Sequence, residues 1–105
     1  MNRRHFVYRL VPPRPSFAAD MTDAEQAVMG EHAAYWTKLF EEGSVVVFGV
    51  VVEQAGAWGL AVVEAEDEAD LRAIAAGDPA VKTNLCTFEI GVMPQGSIRP
   101  RQTAA

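Results

Sequence analysis

The sequence predicts an α+β domain with two helices and four strands in the order βαββαβ. This is the ferredoxin-like arrangement, one antiparallel sheet with both helices on one face. Three observations predict it. The longest helical signal, Met21 to Gly43, stands between two stretches of β pattern. SVVVFGVVVE (Ser44–Glu53) and WGLAVVEA (Trp58–Ala65) are apolar runs joined by four residues, which suits a hairpin. A second helical pattern after Ala65 leads into a last strand.

The first strand is HFVYRLV, where Phe6, Tyr8 and Leu10 alternate with His5, Val7 and Arg9. It stops at Pro12-Pro13, with Pro15 beyond. Prolines this dense forbid ladder and helix alike, so Pro12–Asp20 is expected to be an extended loop. Its one large apolar residue, Phe17, is expected to anchor it on the core, with a pocket cover as the alternative. The first helix should run from about Asp23 to Glu42. Thr22 can cap it, Glu25 completes a capping box, and Gly43 supplies a left-handed stop. Val28, Tyr35, Trp36 and Leu39 share one face, and His32 sits in the middle of it. A histidine there points inward and needs a partner. Gly30 costs roughly 1 kcal/mol relative to Ala, so either something approaches the helix there or the cost is tolerated.

Nearly continuous apolarity in Ser44–Glu53 means that both faces of the strand are covered. Helices cover one, and a second subunit is the expected cover of the other. Gly49 suggests a bulge or a close backbone approach. Glu66, Asp67 and Glu68 open the second helix with charges that suit its dipole. Leu71, Ile74 and Ala75 form its buried side, and Gly77 ends it. Asp78-Pro79 starts a short helical turn to about Thr83, with Asp78 as N-cap and Pro79 at the first helical position. Asn84 tolerates the left-handed conformation that ends the turn. Cys86–Met93 is the last strand. Pro94 onward has no periodicity, so residues 1–94 form the domain and 95–105 a flexible tail. Two sheets with uncovered apolar faces can pack together as a homodimer, a dimeric α/β barrel.

At 105 residues, half of them apolar, the chain makes one domain whose core requires neither metal nor disulfide. The single cysteine, Cys86, excludes an intramolecular disulfide and fits a reducing cytoplasm. No apolar run approaches the roughly 20 residues of a membrane span. The start, MNRRHFVYRLVPPRP, is too broken by proline for a signal segment. A soluble cytoplasmic protein with no membrane partner is expected. The net charge of −5 argues against nucleic acid, which needs a clustered basic surface. Arg3, Arg4, Arg99 and Arg101 lie at the ends, so the body is more acidic than the whole.

Four stretches in this order, EHAAYWTKLFEEG, VVVFGVV, GAWGLAVVEAE and AAGDPAVKTNLCTFEIGVMP, resemble the YCII-related (YciI-like) domain family. The resemblance covers roughly Phe6 to Pro94. It implies a ferredoxin-like fold forming dimeric α/β barrels, and an active site built on a histidine–aspartate pair. Carried onto this chain, the pair is His32 and Asp78. Two positions depart from the family pattern. Gly49-Val50 stands where members often have Gly-Pro, and Asn84 where they often have Gly. A related dehydrochlorinase acting on a chlorinated hydroxyquinol, and lactone isomerases on the same general fold, imply small aromatic or lactone-like ligands.

The pair also makes chemical sense. A neutral imidazole serves as general base near pH 7, and a carboxylate on its other nitrogen fixes the tautomer. Elimination, isomerisation or hydrolysis would each suit such a pair without a cofactor. The competing role for His32 is a buried histidine bonded for stability alone, and for Asp78 the helix cap. In that case the protein is a ligand-binding or dimeric interaction module. Ser44 and Thr83 have no evident base. His5 with His32 and Asp78 makes a poor metal signal. Cys86 reads as a small core residue, and Trp36, Trp58, Tyr8 and Phe48 as core or dimer-interface residues. Arg9 reads as a surface residue, with anion binding as its alternative.

Overall fold

The alternating and β-branched runs become four strands of one antiparallel sheet in the computed structural model, which describes residues 4–100. Arg3 and Arg101 lie outside the described residues. The elements are β1 (Arg4–Val11), α1 (Phe17–Asp20), α2 (Asp23–Glu41), β2 (Val45–Glu53), β3 (Gly56–Ala65), α3 (Glu68–Gly77), α4 (Pro79–Lys82) and β4 (Thr87–Met93). The strand order is β2-β3-β1-β4. Strands joined through helices are thus not neighbours, as the ferredoxin-like arrangement requires.

Strand alternation decides where the core lies. Phe6, Tyr8 and Leu10 of β1 and Ala61, Val63 and Ala65 of β3 are buried on the helix face. They meet Trp36 of α2, Leu71 and Ala75 of α3, Ala80 of α4 and Cys86. The opposite face carries Val7, Leu60 and Val62, each half-buried. Edge strand β2 exposes Val47, Val50 and Val52.

The helix ends follow their sequence signals. Thr22 and Glu25 exchange both hydrogen bonds of a capping box, and Gly43 turns the chain at φ +93° after α2. Asn84 adopts φ +62° beyond α4. Gly77 is fixed by space, because a Cβ there would sit 2.6 Å from the Tyr35 hydroxyl, which donates to the Ile74 carbonyl at 2.7 Å.

Three expectations are corrected. Pro12–Asp20 is not wholly extended. Its last prolines lie before Ser16, so Phe17–Asp20 is free to form the turn of helix α1. The irregularity in β2 falls at Val45–Val47 and not at Gly49, which has open space around it. The extra residue puts both Val45 and Phe48 on the helix side, opposite Val63 and Ala61. The β2–β3 connection is tighter than four residues, with Gln54 and Ala55 alone between the strands. Gly30 also has open space around it, so its cost is tolerated rather than repaid by a contact.

Candidate active site

Asp78 is the only fully buried acidic side chain among the described residues, at 0% exposure. Its position follows from the break between α3 and α4. Gly77 closes α3, Asp78 takes an extended conformation (φ −65°, ψ 122°), and Pro79 begins α4. The side chain caps α4, accepting from the Ala80 N–H at 2.9 Å.

Three more donors converge on the carboxylate. Tyr8 of β1 donates its hydroxyl to Oδ2 at 3.0 Å, and Trp36 of α2 its indole N–H to Oδ2 at 2.8 Å. His32 sets Nδ1 at 2.8 Å from Oδ1 and 3.0 Å from Oδ2. His32 and Trp36 lie four residues apart, on one helix face. Burial works to raise the Asp78 carboxyl. The hydrogen bonds from His32 and Trp36 outweigh it and hold the group below the ordinary aspartate range. Every acceptor direction is occupied by a donor, so Asp78 accepts as an anion and, in the neutral imidazole, Nδ1 of His32 carries the proton. Nε2 then holds the lone pair. It has no hydrogen bond to any described residue.

The same histidine borders a cavity of about 310 Å³ between α2 and the sheet. Its wall is apolar, with Leu10 on β1, Phe17 and Ala18 on α1, Met29 and Ala33 on α2, and Phe48 on β2. Phe17 is buried and covers this cavity, outside the main core cluster, so the cover describes it better than the anchor. Arg14 fastens the segment that carries it. The guanidinium grips Asp20 at 2.8 Å and forks onto both oxygens of Glu25 at 2.7 and 2.9 Å. Those bonds hold Glu25 at about 2, well below the usual glutamate value.

The structure brings His32 and Asp78 together and keeps the other candidates apart. His5 points to the opposite sheet face, 3.7 Å from Glu64, so it does not converge with the pair. Arg9 is exposed on that face too, over the Trp58 ring at 4.3 Å and 3.6 Å from Glu89. Cys86 lines the cavity, but burial and the Asp78 charge push its thiol up to about 11. Tyr8 and Trp36 are core residues, as the sequence suggests, and each also donates a hydrogen bond to Asp78, which the sequence reading misses. The available signal was chemical. A buried Tyr or Trp needs a partner for its polar tip, and a carboxylate such as Asp78 has acceptor sites beyond those for His32 and the cap.

A ferredoxin-like domain with a buried histidine–aspartate contact beside an apolar cavity is the class that fold and site define. The chain belongs to the YCII-related domain family, which matches residues 6–93. No curated protein matches it. No helix among the described residues is long and apolar enough to cross a membrane.

Proposed function

We propose that the protein is a cofactor-independent acid–base enzyme. His32 takes and returns a proton on a small cyclic or aromatic molecule, and Asp78 holds the imidazole in place. The carrying observation is that Nδ1 is committed to a buried carboxylate while the ring borders a cavity. The chemistry that fits is elimination, isomerisation or hydrolysis. General acid–base catalysis contributes roughly 10²–10⁴-fold. His32→Gln, assayed with neutral lactones, enols and haloaromatic compounds against wild type, should lose about that factor with its circular dichroism unchanged. Full turnover by the variant removes the acid–base role.

The working unit in this proposal is a homodimer. Val7, Leu60 and Val62 form part of a sheet face that no helix among the described residues covers, and such a face suits a second copy packed on it. Sedimentation at micromolar concentration tests this, and a monomer would refute it. A cytoplasmic location fits the single reduced thiol. The non-catalytic reading, a ligand-binding or interaction module, draws on Asp78, whose other three bonds serve the fold by themselves.

A further inference from the structure

Resting on the acid–base reading of His32, we infer that the cavity takes an uncharged molecule with an apolar body that presents one proton donor, a hydroxyl, enol or N–H, to Nε2 of His32. The wall carries this inference. None of the described residues that line the cavity is Lys, Arg, Asp or Glu. Apart from His32 and the weakly donating Cys86 thiol, its polar side-chain groups are already paired. The Tyr8 hydroxyl and Trp36 N–H donate to Asp78, and the Trp58 N–H donates to Glu53. Nε2 of His32 is the strong hydrogen-bonding atom left over, and with Nδ1 protonated it is an acceptor.

Charge selection follows from the same geometry. With His32 neutral, a carboxylate or phosphate entering the cavity would give up its water without meeting a cation. It would also approach the Asp78 anion, which lies one imidazole away. A cation would meet no carboxylate in exchange, because Asp78 is wholly enclosed behind His32. A neutral donor loses only one or two water contacts and regains one at Nε2. The volume, about 310 Å³, lies at the small end of the roughly 300–1,000 Å³ range of ligand sites. One or two fused rings fit this better than a nucleotide or a long chain.

Three probes with one ring system test this by equilibrium binding to the full chain: 2-naphthol, naphthalene and 2-naphthoate. The expected order is naphthol tightest, naphthalene next and naphthoate weakest. One hydrogen bond to Nε2 should give naphthol about a five- to tenfold advantage over naphthalene. His32→Gln should remove most of that advantage. Should the variant fail to fold, the wild type still answers, because naphthol and not naphthalene should shift the ¹⁵N resonance of His32 Nε2. Naphthoate binding as tightly as naphthol would overturn the inference. So would equal binding of all three, or no saturable binding of any. The selectivity appearing without turnover of any substrate sinks the catalytic reading alone. His32-dependent turnover of an anionic substrate sinks the charge selection alone.

Discussion

Tyr8→Phe removes one oxygen and leaves the rest of a buried ring in place. The ring is 2% exposed, with its centroid 4.8 Å from Trp36 and 5.7 Å from Phe88, contacts that Phe keeps. The lost group is the hydroxyl that donates to Asp78 Oδ2 at 3.0 Å. A hydrogen bond to a charged group is worth about 1.5–3 kcal/mol. The low end applies, since Trp36, His32 and Ala80 still serve the carboxylate. A loss of about 1.5 kcal/mol lowers the Tm of a domain of this size by roughly 6–12 °C. Urea unfolding should show the same loss with an unchanged m-value. The pH dependence has a definite sign. Asp78 is held below its ordinary value, so its stabilisation is complete above about pH 4. It is lost as pH falls through the folded-state value. Tyr8→Phe removes one hydrogen bond that favours the carboxylate over the protonated acid. The gap between wild type and variant should therefore be constant from pH 5 to 7 and close as the solution is acidified below pH 4. A Tm change under about 2 °C would mean that the hydroxyl does not serve Asp78. A gap that persists undiminished to pH 2 would assign the loss to packing instead of to a charged hydrogen bond.

Two further predictions concern the cavity wall. Arg14→Ala should lower Tm, by an amount that shrinks in high salt, because it unfastens the segment carrying Phe17 from Glu25. Glu25 is depressed from its ordinary value near 4.5 to about 2. Wild type should therefore lose this advantage as pH falls between those values, and a salt-independent difference would contradict the ion-pair account. Cys86, pushed up to about 11 from an ordinary 9.0, should react with a disulfide reagent at pH 8 on the order of a hundredfold more slowly than the unfolded chain. A native rate within tenfold of the unfolded one would refute its burial as a neutral thiol.

The elements were legible because each is written in a local pattern. HFVYRLV alternates, Thr22 and Glu25 cap, Gly43 and Asn84 permit left-handed backbone, and Asp78-Pro79 starts a turn. Alternation also separated Phe6, Tyr8 and Leu10 from His5, Val7 and Arg9, and the structure turns the first set toward the helices. What was not legible depends on contacts between distant segments. The bulge at Val45–Val47 answers to which residues must face the helices, not to the glycine four residues on. Helix α1 needs only the end of the proline run, a release that a count of prolines does not show. The meeting of Tyr8, Trp36 and Asp78 spans 70 and 42 residues of chain. No periodicity encodes it. The chemical demand of buried polar tips does, provided the topology is already known.

Asp78 and His32 are unequal members of the pair, and this decides which of them can test the proposed function. Asp78 caps α4 and receives Tyr8, Trp36 and His32. Removing it orphans several buried donors at once, at about 1–3 kcal/mol each. Set against a total stability of about 5–15 kcal/mol, that loss threatens the fold itself. Inactivity after substitution of Asp78 would therefore report unfolding as readily as lost chemistry. His32 is different. Its side chain is 18% exposed, and Nε2 is unspent at the edge of the cavity. Were stability its only role, the three remaining donors would still hold the carboxylate. An apolar residue at position 32 would then bury more surface and fill part of the cavity. A histidine fixed on one side and left free on the other is the arrangement that the proposed proton transfer requires.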